Sequence, residues 1–95
     1  MSVSCRQVFV SGRVQGVGFR YSTQQKAREL RVTGWVRNLE DGRVEAWIEG
    51  AESRVAQMTA WLERGPSHAQ VTNATVHERE GRDHTSFEIE PTARG

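Results

Sequence analysis

The chain has 95 residues, and its 13 basic and 12 acidic side chains leave a formal net charge of +1. A chain of this length buries only about 60 to 68% of its unfolded surface, enough for one core, so we expect a single domain over residues 1–95 with a core from about residue 6 to residue 90. The near-neutral charge argues against nucleic acid and membrane as partners, and the lone Cys5 excludes an internal disulfide and favours the cytoplasm.

The first predicted element is a short apolar strand over residues 7–11, which leads into a glycine-rich turn. The turn and its flanks, from Gly12 to Arg20, have the sequence Gly-Arg-Val-Gln-Gly-Val-Gly-Phe-Arg. Gly16 and Gly18 allow a positive φ, which can direct successive amide hydrogens into one concavity. Arg20 adds a planar fork of donors that matches a phosphate or a carboxylate. The segment therefore predicts an anion site.

A helix is predicted directly after this turn. Ser22 and Gln25 fit a capping box with Ser22 as the N-cap, so the helix would extend from about residue 23 to residue 32. Gly34 is the expected C-cap. The inward-facing stripe comprises Thr23, Ala27 and Leu30. The positive end of this helix would lie close to Arg20, which favours an anion at that position.

Two well-known phosphate loops do not fit the glycine-rich turn. A Walker A loop ends in Gly-Lys-Ser/Thr, whereas Lys26 is the only lysine and follows no glycine. The dinucleotide-binding fingerprint would require a glycine where the chain has Tyr21. From this turn alone, a plain strand-to-helix connection with a surface arginine remains an alternative to the anion site.

Residues 34–50 predict a β-hairpin. Val44, Ala46 and Ile48 alternate with polar residues, and Asp41-Gly42 supplies the turn. Asn38 lies near the end of the first strand, on the same face as Gly34 and Val36, so we expect its amide to point to the apolar side. The alternative for Asn38 is a turn-flanking residue bonded to the backbone.

The remaining elements complete a βαββαβ order. A second helix is expected from about residue 52 to residue 64, with Val55, Met58 and Leu62 on its buried face. A strand over residues 69–79 and a short strand around Phe87 and Ile89 flank a charged loop, residues 80–84, that we expect to be mobile. The order predicts an α+β, ferredoxin-like two-layer sandwich: an antiparallel sheet with both helices on one face, plus a short fifth strand. Proteins with this fold have many different functions, so the function must be argued from the residues of the site.

Together, the two segments resemble the signatures of the acylphosphatase family. The first matches Gly-x-Val-Gln-Gly-Val-x-Phe-Arg, and the second matches Gly-aromatic-Val-x-Asn followed by x-x-x-Gly-x-Val and a later glycine. The likeness extends over most of residues 6 to 90. It implies a small cytoplasmic hydrolase that converts acyl phosphates to a carboxylate and phosphate without a metal or cofactor. It also implies that Arg20 binds phosphate and that Asn38 positions the water. We expect the protein to be a monomer.

The chemistry of that reaction agrees with the absence of an obvious acid or base. A carboxylate with a pKa of about 4 to 5 leaves without a general acid at neutral pH. The transferred phosphoryl group needs donors, which we assign to the Arg20 guanidinium and to a loop comprising Gln15, Gly16, Val17, Gly18, Phe19 and Arg20. Asn38 can orient a water and cannot titrate. We expect phosphate and sulfate to compete with the substrate.

Other candidate sites carry weaker signals. His68, His77 and His84 lack metal-ligand spacing, and we interpret them as surface residues. Trp35 and Trp47 fall on the hairpin face away from the helices, where cross-strand packing is their expected role.

Two rival functions remain possible. An RNA-recognition domain of the same topology is disfavoured, because Glu45 and Glu49 would repel phosphates along the third strand. The second rival is a non-catalytic acylphosphatase-like module that binds phosphate or a partner protein. Such modules in hydrogenase-maturation carbamoyltransferases are followed by zinc-finger cysteines, whereas this sequence has one cysteine.

Overall fold

The computed structural model describes residues 2–95, which form seven elements of secondary structure. In chain order these are β1 (Val3–Arg13), α1 (Phe19–Leu30), β2 (Thr33–Asn38), β3 (Val44–Ala51), α2 (Glu52–Arg64), β4 (Gln70–Glu78) and β5 (Phe87–Ile89). The strands form one sheet in the order β4-β1-β3-β2-β5, and both helices pack against it. The predicted α+β sandwich with a short fifth strand is confirmed.

The sheet is mixed and not purely antiparallel. Strands β1 to β4 pair antiparallel, whereas β5 pairs parallel with β2, placing Phe87 beside Gly34 and Ile89 beside Val36. The reason is topological, because β4 and β5 occupy opposite edges of the sheet. The loop between them must cross the sheet, and β5 then runs in the direction opposite to β4.

The strand β1 is longer than the predicted residues 7–11. It pairs with β3 from Val3 and with β4 as far as Arg13. Because both neighbours supply hydrogen bonds along its length, the backbone stays extended beyond the apolar run that identified it.

The helix α1 begins at Phe19, four residues before the predicted start, so the capping-box prediction is wrong. Its N-cap is Gly18 in the left-handed conformation (φ 77°), and the Ser22 N–H donates to the Gly18 carbonyl at 3.0 Å. A glycine adopts this conformation without steric cost and turns the chain into the helix early. Ser22 therefore lies inside the first turn.

The C-terminus of α1 also differs from the prediction. Arg31, with φ 58°, is the left-handed cap, and the Val32 N–H donates to the Ala27 carbonyl at 2.8 Å in a Schellman arrangement. Gly34 is therefore not the C-cap. It lies within β2, and the helix ends before the predicted residue 32.

The core lies between the helices and the covered face of the sheet. The boundaries predicted for α2 are confirmed, and so is its buried face of Val55, Met58 and Leu62. Thr23 and Ala27 of α1 are buried as expected, whereas Leu30 is only partly buried.

No helix within residues 2–95 is both long and apolar enough to cross a lipid bilayer.

Gly34 is required where β2 meets β3. Its φ is +133°, a value that side-chain-bearing residues rarely adopt, and a Cβ there would overlap the carbonyl oxygen of Trp47. Gly42, in the hairpin turn, also has a positive φ (+99°), but a Cβ would meet no atom within 4 Å. A side chain at Gly34 would therefore cause both backbone strain and steric overlap, whereas a side chain at Gly42 would cause strain alone.

We predict that Gly34→Ala lowers the free energy of unfolding by about 3 kcal/mol or more, because strain and overlap act together. Gly42→Ala, the matched control, should cost about 1 to 2 kcal/mol, because strain acts there without overlap. Urea denaturation measures both values. Equal losses would show that the close approach to Trp47 is unimportant.

The face of the sheet away from the helices is aromatic and charged. Trp35 and Trp47 stack with ring centroids 6.2 Å apart, which confirms cross-strand packing for this pair. The buried Glu49 carboxylate accepts hydrogen bonds from Trp47 Nε1 at 2.7 Å and from the Arg82 N–H at 2.9 Å, and it lies 2.6 Å from His84 Nδ1. The loop that we expected to be mobile thus binds a buried carboxylate, and His84 is not a simple surface residue.

We predict that Glu49 makes folding pH-dependent in the acid range. Burial acts to raise its pKa, but hydrogen bonds from the Arg82 N–H, His84 and Trp47 together outweigh burial and hold the pKa below its usual 4.5. The unfolded chain therefore binds this proton first, and stability is lost as the pH falls below that value through the pKa of the folded state. Urea denaturation between pH 7 and pH 3 should show this loss.

Two variants test the origin of that pH dependence. Glu49→Gln should remove part of it, whereas Glu63→Gln, at an exposed position on α2, should leave the profile unchanged. If Glu49→Gln kept the full acid slope, other carboxylates would be responsible.

Candidate active site

The glycine-rich turn between β1 and α1 has the backbone that the sequence predicts. Gly16 and Gly18 have φ values of 75° and 77°. A Cβ at either position would meet nothing within 4 Å, so the left-handed conformation and not crowding requires glycine there. These two residues turn the chain directly into the first turn of α1.

The positive end of α1 lies closer to Arg20 than we predicted. The first intrahelical bond is donated by Ser22, so the N–H groups of Phe19, Arg20 and Tyr21 have no partner within the helix. The first turn contains no acidic residue, and no side chain caps it. Unsatisfied amides, the helix dipole and the Arg20 side chain therefore favour an anion at the same place.

A cavity of about 230 Å³ opens at this helix end and brings the two signature segments together. Its lining residues are Val14, Gly16, Gly18, Phe19, Arg20, Tyr21, Asn38 and Ile89. Arg20 comes from α1 and Asn38 from the end of β2. A groove of about 350 Å³ between the helices, lined by Lys26 and Trp61 among others, contains neither of these residues.

Two predicted loop residues do not line the cavity. The Gln15 amide donates from Nε2 to the carbonyls of Leu39 at 2.8 Å and Arg43 at 2.9 Å, so it joins the loop to the turn of the hairpin. Val17 is partly buried and packs against the core. The remaining predicted loop residues, Gly16, Gly18, Phe19 and Arg20, line the cavity.

Asn38 lines the cavity and carries a buried side-chain acceptor. Its Oδ1 is buried and has no hydrogen-bond partner within residues 2–95, which disagrees with the alternative of a backbone-bonded turn residue. The backbone around it is fixed, because its carbonyl accepts from the Ala93 N–H at 3.0 Å and the Leu39 N–H donates to Arg43 at 2.8 Å. A buried acceptor without a partner costs free energy, and a water or ligand would satisfy it.

The charge of the cavity is positive. Arg20 is its only cation, and the lining contains no carboxylate. In the described part of the chain, ion pairs form at Arg6, Arg37 and Arg43, among others, but none forms at Arg20. The Arg20 guanidinium is therefore available to an anion.

The three histidine side chains lie away from this cavity and in three different environments. His68 is exposed, His77 packs its ring edge-on against Phe9 with centroids 5.9 Å apart, and His84 binds Glu49. Within residues 2–95, no three side chains of the His, Cys, Asp and Glu types cluster closely enough to hold a metal ion.

Sequence reasoning did not identify Tyr21 and Ile89 as cavity residues. Tyr21 directly follows Arg20, and Ile89 alternates with the buried Phe87, so adjacency and strand alternation were the available signals. The anchoring role of the Gln15 side chain had no local signal, because its partners are distant in the chain.

Comparisons with known proteins identify the family of the chain. The family model described as Acylphosphatase matches residues 6–89. The chain is 46% identical over 88 residues to an acylphosphatase of Acaryochloris marina, covering 93% of this chain and 95% of the relative. It is 57% identical over 76 residues to an acylphosphatase of a Roseiflexus species, covering 80% and 82%. The structure of an acylphosphatase from Coxiella burnetii superimposes with a TM-score of 0.89 at 42% identity, covering 93% of each chain. The chain therefore belongs to the acylphosphatase family.

Proposed function

We propose that the protein hydrolyses acyl phosphates by in-line attack of water on phosphorus, without a metal ion. Family membership supports the reaction class. The mechanism depends most on one observation: Asn38, whose Oδ1 is buried without a partner in the described residues, lines the same cavity as Arg20. The Asn38 amide is suited to hold a water molecule, and the Arg20 guanidinium is suited to bind the negatively charged phosphoryl group.

Arg20 and the start of α1 would bind the phosphoryl group. The guanidinium offers a planar fork of donors, and the N–H groups of Phe19, Arg20 and Tyr21 lack helical partners. Phosphoryl oxygens keep their negative charge in a loose transition state, so fixed donors stabilise it without reorganisation. The left-handed glycines at 16 and 18 allow the backbone to approach the phosphate closely.

Asn38 would orient the attacking water. Its Oδ1 can accept one water hydrogen and leave an oxygen lone pair directed at phosphorus. The new bond joins the water oxygen to phosphorus, and the bond from phosphorus to the acyl oxygen breaks with its electron pair. The water proton passes to a phosphate oxygen of the substrate, so no titrating side chain is required.

The leaving group explains why this arrangement is sufficient. A carboxylate has a pKa of about 4 to 5 and departs unprotonated at neutral pH. Charge balance in the transition state then needs only the arginine and the amides, which is why we propose a reaction independent of metals. The alternative, a non-catalytic module, would bind phosphate at the same cavity but show no turnover.

The single cysteine bears on where the protein acts. We infer that the protein acts as a monomer in the cytoplasm, a reducing compartment that suits its single cysteine. Burial, reinforced by the nearby Glu49, raises the pKa of the Cys5 thiol to about 11. A protonated, buried thiol is poorly reactive, which suits a structural role.

We predict that phosphate and sulfate stabilise the folded protein by binding at this cavity. An anion at about one hundred times its dissociation constant should add roughly 2.7 kcal/mol to the free energy of unfolding. Thermal melting with phosphate against chloride at constant ionic strength measures the effect. A melting temperature that does not respond to phosphate or sulfate would contradict the anion site.

We further predict that substitutions of the two central residues have different kinetic signatures. Arg20→Gln should lose phosphate affinity and lower kcat/KM by about a hundredfold or more, because two charge-assisted hydrogen bonds are lost. Asn38→Ala should bind phosphate nearly as well as the wild type while kcat falls by about a hundredfold, because the water is no longer oriented. Steady-state kinetics and phosphate titration give both quantities.

Matched surface variants control for nonspecific effects. Arg54→Gln and Asn73→Ala change the same residue types at exposed positions and should leave both parameters unchanged. Melting curves check that Asn38→Ala keeps the hairpin folded. Near-normal turnover in a folded Asn38→Ala variant would refute its role, and a parallel loss of binding would show that Asn38 supports the loop instead.

A further inference from the structure

Exposed apolar side chains line part of the cavity. Three large hydrophobic side chains are exposed within residues 2–95: Val3 at 79%, Tyr21 at 64% and Ile89 at 39%. Val3 lies at the start of β1 and does not line the cavity, whereas Tyr21 and Ile89 both do. Single exposed apolar side chains are common on protein surfaces, whereas apolar side chains that line a cavity indicate a surface for ligand binding.

The fold brings these two side chains together from separate elements. Tyr21 belongs to the first turn of α1, two residues after the buried Phe19. Ile89 pairs with Val36 and shares a strand face with Phe87, which is buried near α1. Ile89 therefore lies on the helix-covered side of β5 but extends beyond the packed core, next to the cavity. Both positions are exposed, so substitution there should not unfold the protein.

The charges of the cavity limit which acyl groups can be accommodated. An acyl phosphate has a charged phosphoryl end and an acyl end. Arg20 is the only cation in the lining, and phosphate binding would occupy it. A second carboxylate on the acyl group would find no cation there, whereas an apolar acyl group could cover Tyr21 and Ile89.

We propose that Tyr21 and Ile89 form an acyl-binding rim, and that the protein prefers acyl phosphates with aromatic or other bulky apolar acyl groups over short or carboxylated ones. This inference rests on the proposed function, because it assumes that the phosphoryl group lies at Arg20. The aromatic ring of Tyr21 offers a flat surface to an aryl group, and Ile89 offers an aliphatic contact.

Binding of two non-hydrolysable analogues tests the rim separately from catalysis. Benzoylphosphonate and acetylphosphonate carry the same anionic group and differ in apolar area. By calorimetry, we expect the wild type to bind benzoylphosphonate about tenfold more tightly, and Tyr21→Ser combined with Ile89→Thr to abolish most of that preference. The ratio of the two affinities within each variant is the test, because a change in the anion site itself would weaken both analogues alike. Tyr21→Phe, which keeps the ring, and Val3→Ser, which removes a remote exposed side chain, should both keep the preference.

The possible outcomes distinguish this inference from the proposed function. Equal wild-type affinity for the two analogues, or an undiminished preference in the double variant, would overturn the rim. If neither analogue bound, the anion site would be wrong and the rim would fail with it. If the preference appeared and responded to the variants while no acyl phosphate was hydrolysed, the rim would stand and the proposed catalysis would be wrong.

Discussion

The two hydrogen bonds of the Gln15 amide hold the site together. From the glycine-rich turn, Nε2 donates to the carbonyls of Leu39 and Arg43, at 2.8 and 2.9 Å, on the neighbouring hairpin. Arg20 and Asn38 belong to different elements, and these bonds fix the distance between the turn and the hairpin. Because a misplacement of about 1 Å can cost a hundredfold in rate, a rigid tie of this kind matters to the chemistry. Gln15 contributes by position, because its amide donates to the hairpin and the residue is not part of the cavity lining.

The site contains polar groups without hydrogen-bond partners, and packing elsewhere in the fold offsets their free-energy cost. The Oδ1 of Asn38 lacks a partner, and the first N–H groups of α1 lack a cap. Each buried unsatisfied group costs about 1 to 3 kcal/mol in the absence of water or ligand. Close-packed apolar side chains of β1, β3 and α2 offset that cost. Hydrogen-bonding groups without partners are expected where a protein binds its ligand.

Much of this architecture could be predicted from the sequence. The 3.6-residue pattern and the terminal Gly65-Pro66 located α2 correctly, and the hairpin was identified by alternation and by Asp41-Gly42. The start of α1 was misplaced because the left-handed Gly18 begins the helix before the capping preference of Ser22 can act. The parallel pairing of β5 and the partners of Gln15 depend on contacts between distant segments, which no local pattern encodes. The site residues, the single domain over residues 1–95, and the monomeric, cytoplasmic state stay predictions.

The position of bond cleavage tests the central claim most directly. Benzoyl phosphate can be hydrolysed in water enriched in oxygen-18, with excess EDTA, and both products analysed by mass spectrometry. We expect turnover to persist and the label to enter inorganic phosphate, because in the proposed mechanism a water bound to Asn38 attacks phosphorus. Label in the benzoate would place the attack at the carbonyl carbon, and loss of turnover that magnesium or zinc restores would require a metal. Either result would contradict the proposed mechanism.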